Sequence, residues 1–378
     1  MKRPGGHPVR VAAAGSFLPG EPLGYDDIDR VLGPFTEPTL QRAYQRSREV
    51  MRELLAMDRY YFAVDPVTRQ ITETPSSMAA KAARRALDAA GMQPSDVDLL
   101  VYAGSSQDRF ICPPTSVFVQ EHLGIERCAE LSFHANCTST YKAIQVAADQ
   151  IALGRYRTAL ITSSNLVSGS WMAEAYTQAH MNRAQAMMRL FLCDGAGAVL
   201  LTRDDGAGAG LEVWDTFLES VGCHKAPRMA TRFGSASLAP QAIAAGDHHV
   251  EQDLSLVGRE GVEVFLGGFV RFATQLGLTP QVFRERVSHV MANVPSDHLV
   301  DAALEDTSVQ YDLPLEHLRR VYYSTVAGRG YTGPAAVLIS LDELLRSGAL
   351  QDDRFVISFV TESSKWMNAG FLLRHRAA

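Results

Sequence analysis

The chain has 378 residues, 46% of them hydrophobic and 21% charged, the composition of a soluble globular protein with a large core. A formal net charge of -6 gives no general pull toward nucleic acid or an anionic membrane. No uncharged apolar run reaches the roughly 18 residues a membrane span needs, and the basic start, MKRPGGHPVRVAAAGSFLPG, lacks the long apolar stretch of a secretory leader. The five cysteines (112, 128, 137, 193, 223) are odd in number, widely spaced and without a C-x-x-C pair. That argues against a disulfide framework and against a zinc site, so a reduced, cytoplasmic protein with no bound metal is expected.

Residues 76–91, SSMAAKAARRALDAAG, form an Ala-rich stretch that opens on serine and stops at Gly91, which predicts a helix with both end signals. VDLLVYAGSS (97–106) reads as a buried strand, and AELSFHAN (129–136) as an alternating one. Ile144, Ala147, Ala148 and Ile151 recur at i, i+3, i+4, i+7 and predict an amphipathic helix. RTALITSSN (157–165) and GAGAVLLTR (195–203) are further buried strands, and the Gly-rich DDGAGAG (204–210) marks a boundary.

The second half repeats the plan of the first. YKAIQVAADQIALGRYRTALITSS (141–164) pairs with AAVLISLDELLRSGALQDDRFVISFVTESS (335–364), each an apolar helix, a glycine, a short link and a buried strand. VSHVMANVPS (287–296) answers 97–106, and NAGFLLRH (368–375) answers 193–203. The expectation is an α/β fold of two duplicated halves, residues 1–204 and 205–378. Residues 215–285 break the pattern. They contain an apolar helix candidate, GVEVFLGGFVRFATQLG (261–277), and read as an inserted cap.

Cys137 falls where the strand at 129–136 ends and the helix begins. Free backbone N–H groups and the positive end of the helix dipole stabilise an anion there. A thiol so placed is expected to have a lowered pKa, and the same N–H groups suit a developing oxyanion. Thr138, Ser139 and Thr140 are available as caps. The other reading of Cys137 is a small buried side chain.

The stretch PPTSVFVQEHLGIERCAELSFHANCTSTYKAIQVAADQIALGRYRTALITSS resembles the segment around the acyl-accepting cysteine of the type III β-ketoacyl-acyl-carrier-protein synthases, thiolase-like condensing enzymes. FLCDGAGAVLL, GRGYTGPAAVLISLDELLRSG and TESSKWMNAGFLL are similar to later segments of that family, in order. The resemblance implies a five-layer αβαβα core and a homodimer. It also implies that Cys137 takes an acyl group from a CoA or carrier-protein thioester and yields it to a second substrate, with no permanently bound cofactor. A covalent intermediate divides one difficult transfer into two easier ones.

The family pairs its cysteine with a histidine and an asparagine. Here Asn293 stands in the histidine's place and Tyr331 in the asparagine's. Those two groups normally serve decarboxylation of a malonyl thioester. The departures therefore favour acyl transfer to a hydroxyl or amine of a small-molecule acceptor in specialised metabolism. Two alternatives stand beside it: carbon–carbon condensation with displaced catalytic groups, and a non-catalytic partner subunit. His298, in the first turn of a helix capped by Ser296, is the candidate replacement base. Ser363 matches the loop whose backbone N–H completes the oxyanion hole with that of Cys137, and Tyr331 can donate to a substrate carbonyl. Partner expectations are an acyl-thioester donor and a small acceptor, with neither nucleic acid nor membrane.

Overall fold

The computed structural model describes residues 6–204 and 210–376. Residues 205–209, most of the boundary read at 204–210, lie outside them. The first half contains β1 (Val9–Phe17), α1 (Pro38–Leu54), α2 (Pro75–Ala90), β2 (Leu99–Ala103), α3 (Thr115–Leu123), β3 (Ala129–Phe133), α4 (Ser139–Ala152), β4 (Thr158–Asn165) and β5 (Gly195–Arg203). The second contains β6 (Gly210–Ser220), β7 (Met229–Ala230), β8 (Glu251–Gln252), α5 (Leu254–Leu276), β9 (Val287–Met291), α6 (Asp297–Gln310), β10 (Tyr322–Tyr323), α7 (Ala336–Ser347), β11 (Phe355–Glu362) and β12 (Met367–Arg376).

Local chemistry accounts for the element ends. Helix α2 starts one residue before the serine read as its opening. Pro75 supplies the preset φ of the first helical position, the Thr74 hydroxyl accepts from Ser77 N at 3.1 Å, and Gly91 closes the helix at φ 64°. Strand β2 is buried at all five positions and β4 at seven of eight. That is why both read as continuous apolar runs: they carry helices on both faces.

The main sheet has the order β10-β9-β11-β12-β6-β1-β5-β4-β2-β3. From the junction outward, each half repeats one arrangement, with two antiparallel neighbours followed by parallel ones. The halves meet through a short β1–β6 pairing at Arg10–Glu212 and Val11–Leu211. Helix α2 covers the outer face of β1, β5 and β4, while α5 covers β11, β12 and β6. Between the two sets lie α4, which reaches across to β6 and β12, and α7, which packs on β1 and β5. The chain is therefore an α/β, thiolase-like αβαβα structure built from two duplicated halves. Its central core joins Val101, Ile144 and Ile161 of the first half to Leu338, Val356 and Phe371 of the second.

Residues 215–285 do not form one inserted cap. Residues 215–220 finish β6, whose register with β12 runs from Gly210 to Ser220, and α5 is the outer layer of the second half. The segment between β6 and α5, with the β7–β8 ladder, lies outside the main sheet. Among the described residues no helix is long and apolar enough to cross a membrane.

Candidate active site

Cys137 sits in the turn from β3 into α4, two residues before the first helical residue. The neighbouring hydroxyls do not cap the helix as expected. Thr138 occupies the cap position without a side-chain cap bond, Ser139 Oγ donates to Asn136 O at 2.8 Å, and Thr140 Oγ1 donates to Pro334 O at 2.7 Å. The last bond joins the start of α4 to the loop entering α7, its duplicate in the other half. The two central helices thus present their N-termini to one another.

That loop carries Tyr331, whose hydroxyl lies 3.2 Å from Cys137 Sγ. Its backbone is fixed by Cys193 N donating to Tyr331 O at 2.9 Å. Gly330 permits the approach: it adopts φ 68°, and a Cβ there would meet Cys193 Sγ at 2.4 Å. Asn136 and Cys137 open onto an apolar cavity of ≈ 220 Å³ that extends among α5, α6 and β11, with Gly261, Phe265, Leu299, Ala303 and Phe359 in its wall.

At the tip of α4 stands a residue that the sequence reading missed, Glu362, the last residue of β11. It is 2% exposed. Its Oε2 accepts from Thr138 N at 2.8 Å and Thr138 Oγ1 at 2.6 Å, and its Oε1 accepts from Ser364 Oγ. The available signal was a single acidic residue in TESSKWMNAG, a turn otherwise made of uncharged residues and Lys365.

This carboxylate overturns the expected ionisation of Cys137. Burial pushes the thiol up, the Glu362 charge pushes it further, and the Tyr331 hydrogen bond opposes both; the outcome is a value raised to about 12. The favourable field of the helix end is already directed at Glu362. Tyr331 is likewise held well above its ordinary value, first by burial and then by Cys137. The resting pair is a neutral thiol beside a neutral phenol.

The other expected residues divide. Asn293 reaches the cavity wall, but its Oδ1 accepts from Ser340 Oγ at 2.7 Å, and Ser340 Oγ also lies 2.8 Å from Thr325 Oγ1. Ser363 also lines the cavity, with its Oγ accepting from Gln252 Nε2 at 3.0 Å. His298 does not join them. Ser296 caps α6 as read, accepting from Leu299 N at 3.4 Å, but the second helical position turns His298 to solvent while Leu299 and Val300 face the cavity. His134 is exposed, and His289 lies against Ser288 and the Tyr323 ring. No described histidine lines the cavity that holds Cys137.

The model of the 3-oxoacyl-[acyl-carrier-protein] synthase III family matches residues 131–222, the segment containing Cys137. β-Ketoacyl-[acyl-carrier-protein] synthase III of Methylococcus capsulatus is 24% identical over 349 residues, covering 92% of this chain and 93% of the relative. The Xanthomonas campestris protein of the same name is 26% identical over 353 residues, with the same coverage. Among solved structures, the tetronic acid condensing enzyme AbyA1 superposes with TM-score 0.77 at 24% identity, covering 97% of this chain and 99% of that one. OleA of Xanthomonas campestris gives 0.76 at 18% identity, covering 97% and 98%. The chain is thus similar over most of its length to the type III β-ketoacyl-acyl-carrier-protein synthases, and its fold is that of the thiolase-like condensing enzymes.

Proposed function

We propose that the protein transfers an acyl group from a CoA or carrier-protein thioester, through an acyl-Cys137 intermediate, to a hydroxyl or amine of a small molecule. The observation that carries this reading is the Cys137–Tyr331 pair in the wall of an apolar cavity that no described histidine lines. In loading, Cys137 Sγ bonds to the thioester carbonyl carbon, the carbon–sulfur bond of the donor breaks, and the Cys137 proton ends on the departing thiol. The Tyr331 hydroxyl, touching the sulfur, relays that proton by donating one and accepting one. In the second half-reaction the acceptor oxygen or nitrogen bonds to the acyl carbon, the bond between that carbon and Cys137 Sγ breaks, and the acceptor's proton returns to Sγ. The backbone N–H groups of Cys137 and Ser363 are the proposed oxyanion donors.

Offering a panel of acyl-CoA and acyl-carrier-protein thioesters and weighing the intact protein tests the reading. An added acyl mass on the Cys137 peptide, lost in a folded Cys137→Ala variant, is expected. An adduct that persists at full rate in that variant, or no adduct with any thioester, defeats it; the latter outcome favours a non-catalytic partner subunit. The relatives' name keeps carbon–carbon condensation as the second reading, and CO2 release from a malonyl thioester would select it.

The active assembly is proposed to be a homodimer. Phe110 and Ile111, adjacent in one loop, are 96% and 94% exposed, and a pair of large apolar side chains left in water is disfavoured by the area it exposes. Sedimentation should give a dimer for the native chain and a monomer for the Phe110→Asp, Ile111→Asp double variant; a monomeric native chain refutes the assembly.

A further inference from the structure

Glu362 has no part in the transfer as written, although it is buried at the end of the helix that presents the nucleophile. Its three hydrogen-bond donors are Thr138 N, Thr138 Oγ1 and Ser364 Oγ, and no lysine, arginine or histidine forms an ion pair with it among the described residues. Burying a carboxylate without a cation is costly unless dipoles and hydrogen bonds replace the lost water. The N-terminus of α4 supplies both. The space in which an anionic sulfur would gain most from that helix is thus already served by another anion.

Two consequences meet at one side chain. Glu362 bonds across the duplicated halves, tying the end of β11 to the turn that carries Cys137, and Ser363, the next residue, lines the cavity. Its charge also acts on the sulfur. Among the described residues the titratable groups that face Cys137 are Tyr331, Tyr141 and Glu362, and of these Glu362 is the carboxyl group. Tyr141 is turned to Ser358, with 2.7 Å between their hydroxyl oxygens.

We propose that Glu362 is a positioning residue that occupies the anion-stabilising tip of α4, denies that tip to the Cys137 sulfur, and so adds to burial in holding Cys137 as a neutral thiol in the resting site. The nucleophile is then protected from stray electrophiles and becomes reactive when a bound thioester receives its proton. This role follows from an occupied helix terminus and does not require that any thioester be the natural substrate.

The test is the pH dependence of Cys137 alkylation by iodoacetamide, read on its own peptide by mass spectrometry, because Cys112 and Cys223 are exposed and also react. Glu362→Gln keeps an oxygen acceptor and removes the charge. Between about pH 7 and 9, where the fold is stable and the rate follows the thiolate fraction, its alkylation should be about tenfold faster or more, equivalent to a midpoint lower by about one pH unit, the size expected for removal of a nearby like charge. Glu362→Asp keeps the charge and should stay nearer the native rate than Gln does. Glu362→Ala, which deletes charge and acceptor together, should also react faster and keeps the test open if the Gln variant does not fold. An unchanged rate in a folded Gln or Ala variant overturns the proposal, as does an equal change in Asp and Gln. Because no thioester enters the assay, failure of the acyl-transfer reading leaves this result standing.

Discussion

Among the described residues the Tyr331 hydroxyl is the one side-chain group bonded to the Cys137 sulfur, so its contribution separates from the opposing effects of burial and Glu362. Hydrogen bonds to charged groups contribute roughly 1.5–3 kcal/mol, and a rate changes tenfold for about 1.4 kcal/mol. Tyr331→Phe keeps the ring that fills the site and removes the donor. It should slow acyl loading by about tenfold or more and slow the alkylation of Cys137. Stopped-flow measurement of coenzyme release decides it: loading at the native rate would make Tyr331 packing only. The sequence reading set Tyr331 and Asn293 at the places of the family's pair from short segments of fixed order, and both line the cavity with Cys137. It did not show Glu362. The effect of that residue on Cys137 depends on β11 ending opposite the tip of α4, a contact between positions 362 and 138 that neither periodicity nor spacing records. His298 failed for a related reason. One helical position decides between cavity and solvent, and the cap at Ser296 fixed the helix start without saying which face turns inward.

Helix α5 illustrates what an element contributes beyond its residues. It contains Gly258, Gly261, Gly267 and Gly268, and each glycine in a helix interior costs roughly 1 kcal/mol against alanine. At Gly268 the reason is close approach, since a Cβ would lie 2.3 Å from Asn368 Nδ2. At Gly261 a Cβ would meet Trp366 at an ordinary 3.7 Å, so the backbone does not demand glycine. What its absence of a side chain leaves is room in the cavity. An apolar cavity of about 150 Å³ holds the six carbons of benzene, so by proportion ≈ 220 Å³ has room for an apolar chain on the order of nine carbons. Native protein should load octanoyl and decanoyl thioesters at least as fast as acetyl. Gly261→Phe should keep the acetyl adduct and lose the longer ones, while Gly261→Ala should load normally and melt slightly higher. Competition between two thioesters, weighed as adducts, provides the measurement; an unaltered preference in Gly261→Phe would place the acyl chain elsewhere. The sequence reading recognised α5 as an apolar helix but assigned it to a cap. Its apolar face says that the helix is covered, not by what, and the alternation in LEVWDTFL that marks β6 was cut by placing the cap's start at residue 215.

At the scale of the whole molecule, the duplicated order was legible because each half repeats its strand–helix pattern as buried runs. The dependence of stability on pH was not, because it arises from groups brought together by folding. Burial holds Cys137, Cys193, Tyr102, Tyr141 and Tyr176 above their ordinary values. A raised value means that the native state binds more protons than the unfolded chain, so stability is complete below about 9 and declines as pH rises from there. The acid side is set by different residues. His249 is buried, its Nε2 accepts from Thr177 N at 3.0 Å, and its ring lies 4.2 Å from that of His248. Burial, then the charges of His248 and His180, lower it from 6.5 to about 4. Asp247, Glu251 and Arg232 line the same small hollow. A lowered value means that the unfolded chain binds the proton first, so stability is complete above about 6.5 and is lost as pH falls toward 4. His289 and His317, both lowered by burial, add to the same window. The carboxylates lowered by arginine pairing, such as Asp353 and Glu174, act only below their ordinary values near 4. Thermal unfolding should therefore show a plateau between about pH 6.5 and 9. His249→Asn retains a side-chain acceptor for Thr177 and cannot take the proton, so it should flatten part of the acid decline while His289 and His317 sustain the remainder. Melting curves for the native chain and the variant at pH 7.5, 6 and 5 decide the matter: parallel curves at all three would remove His249 from the acid limb.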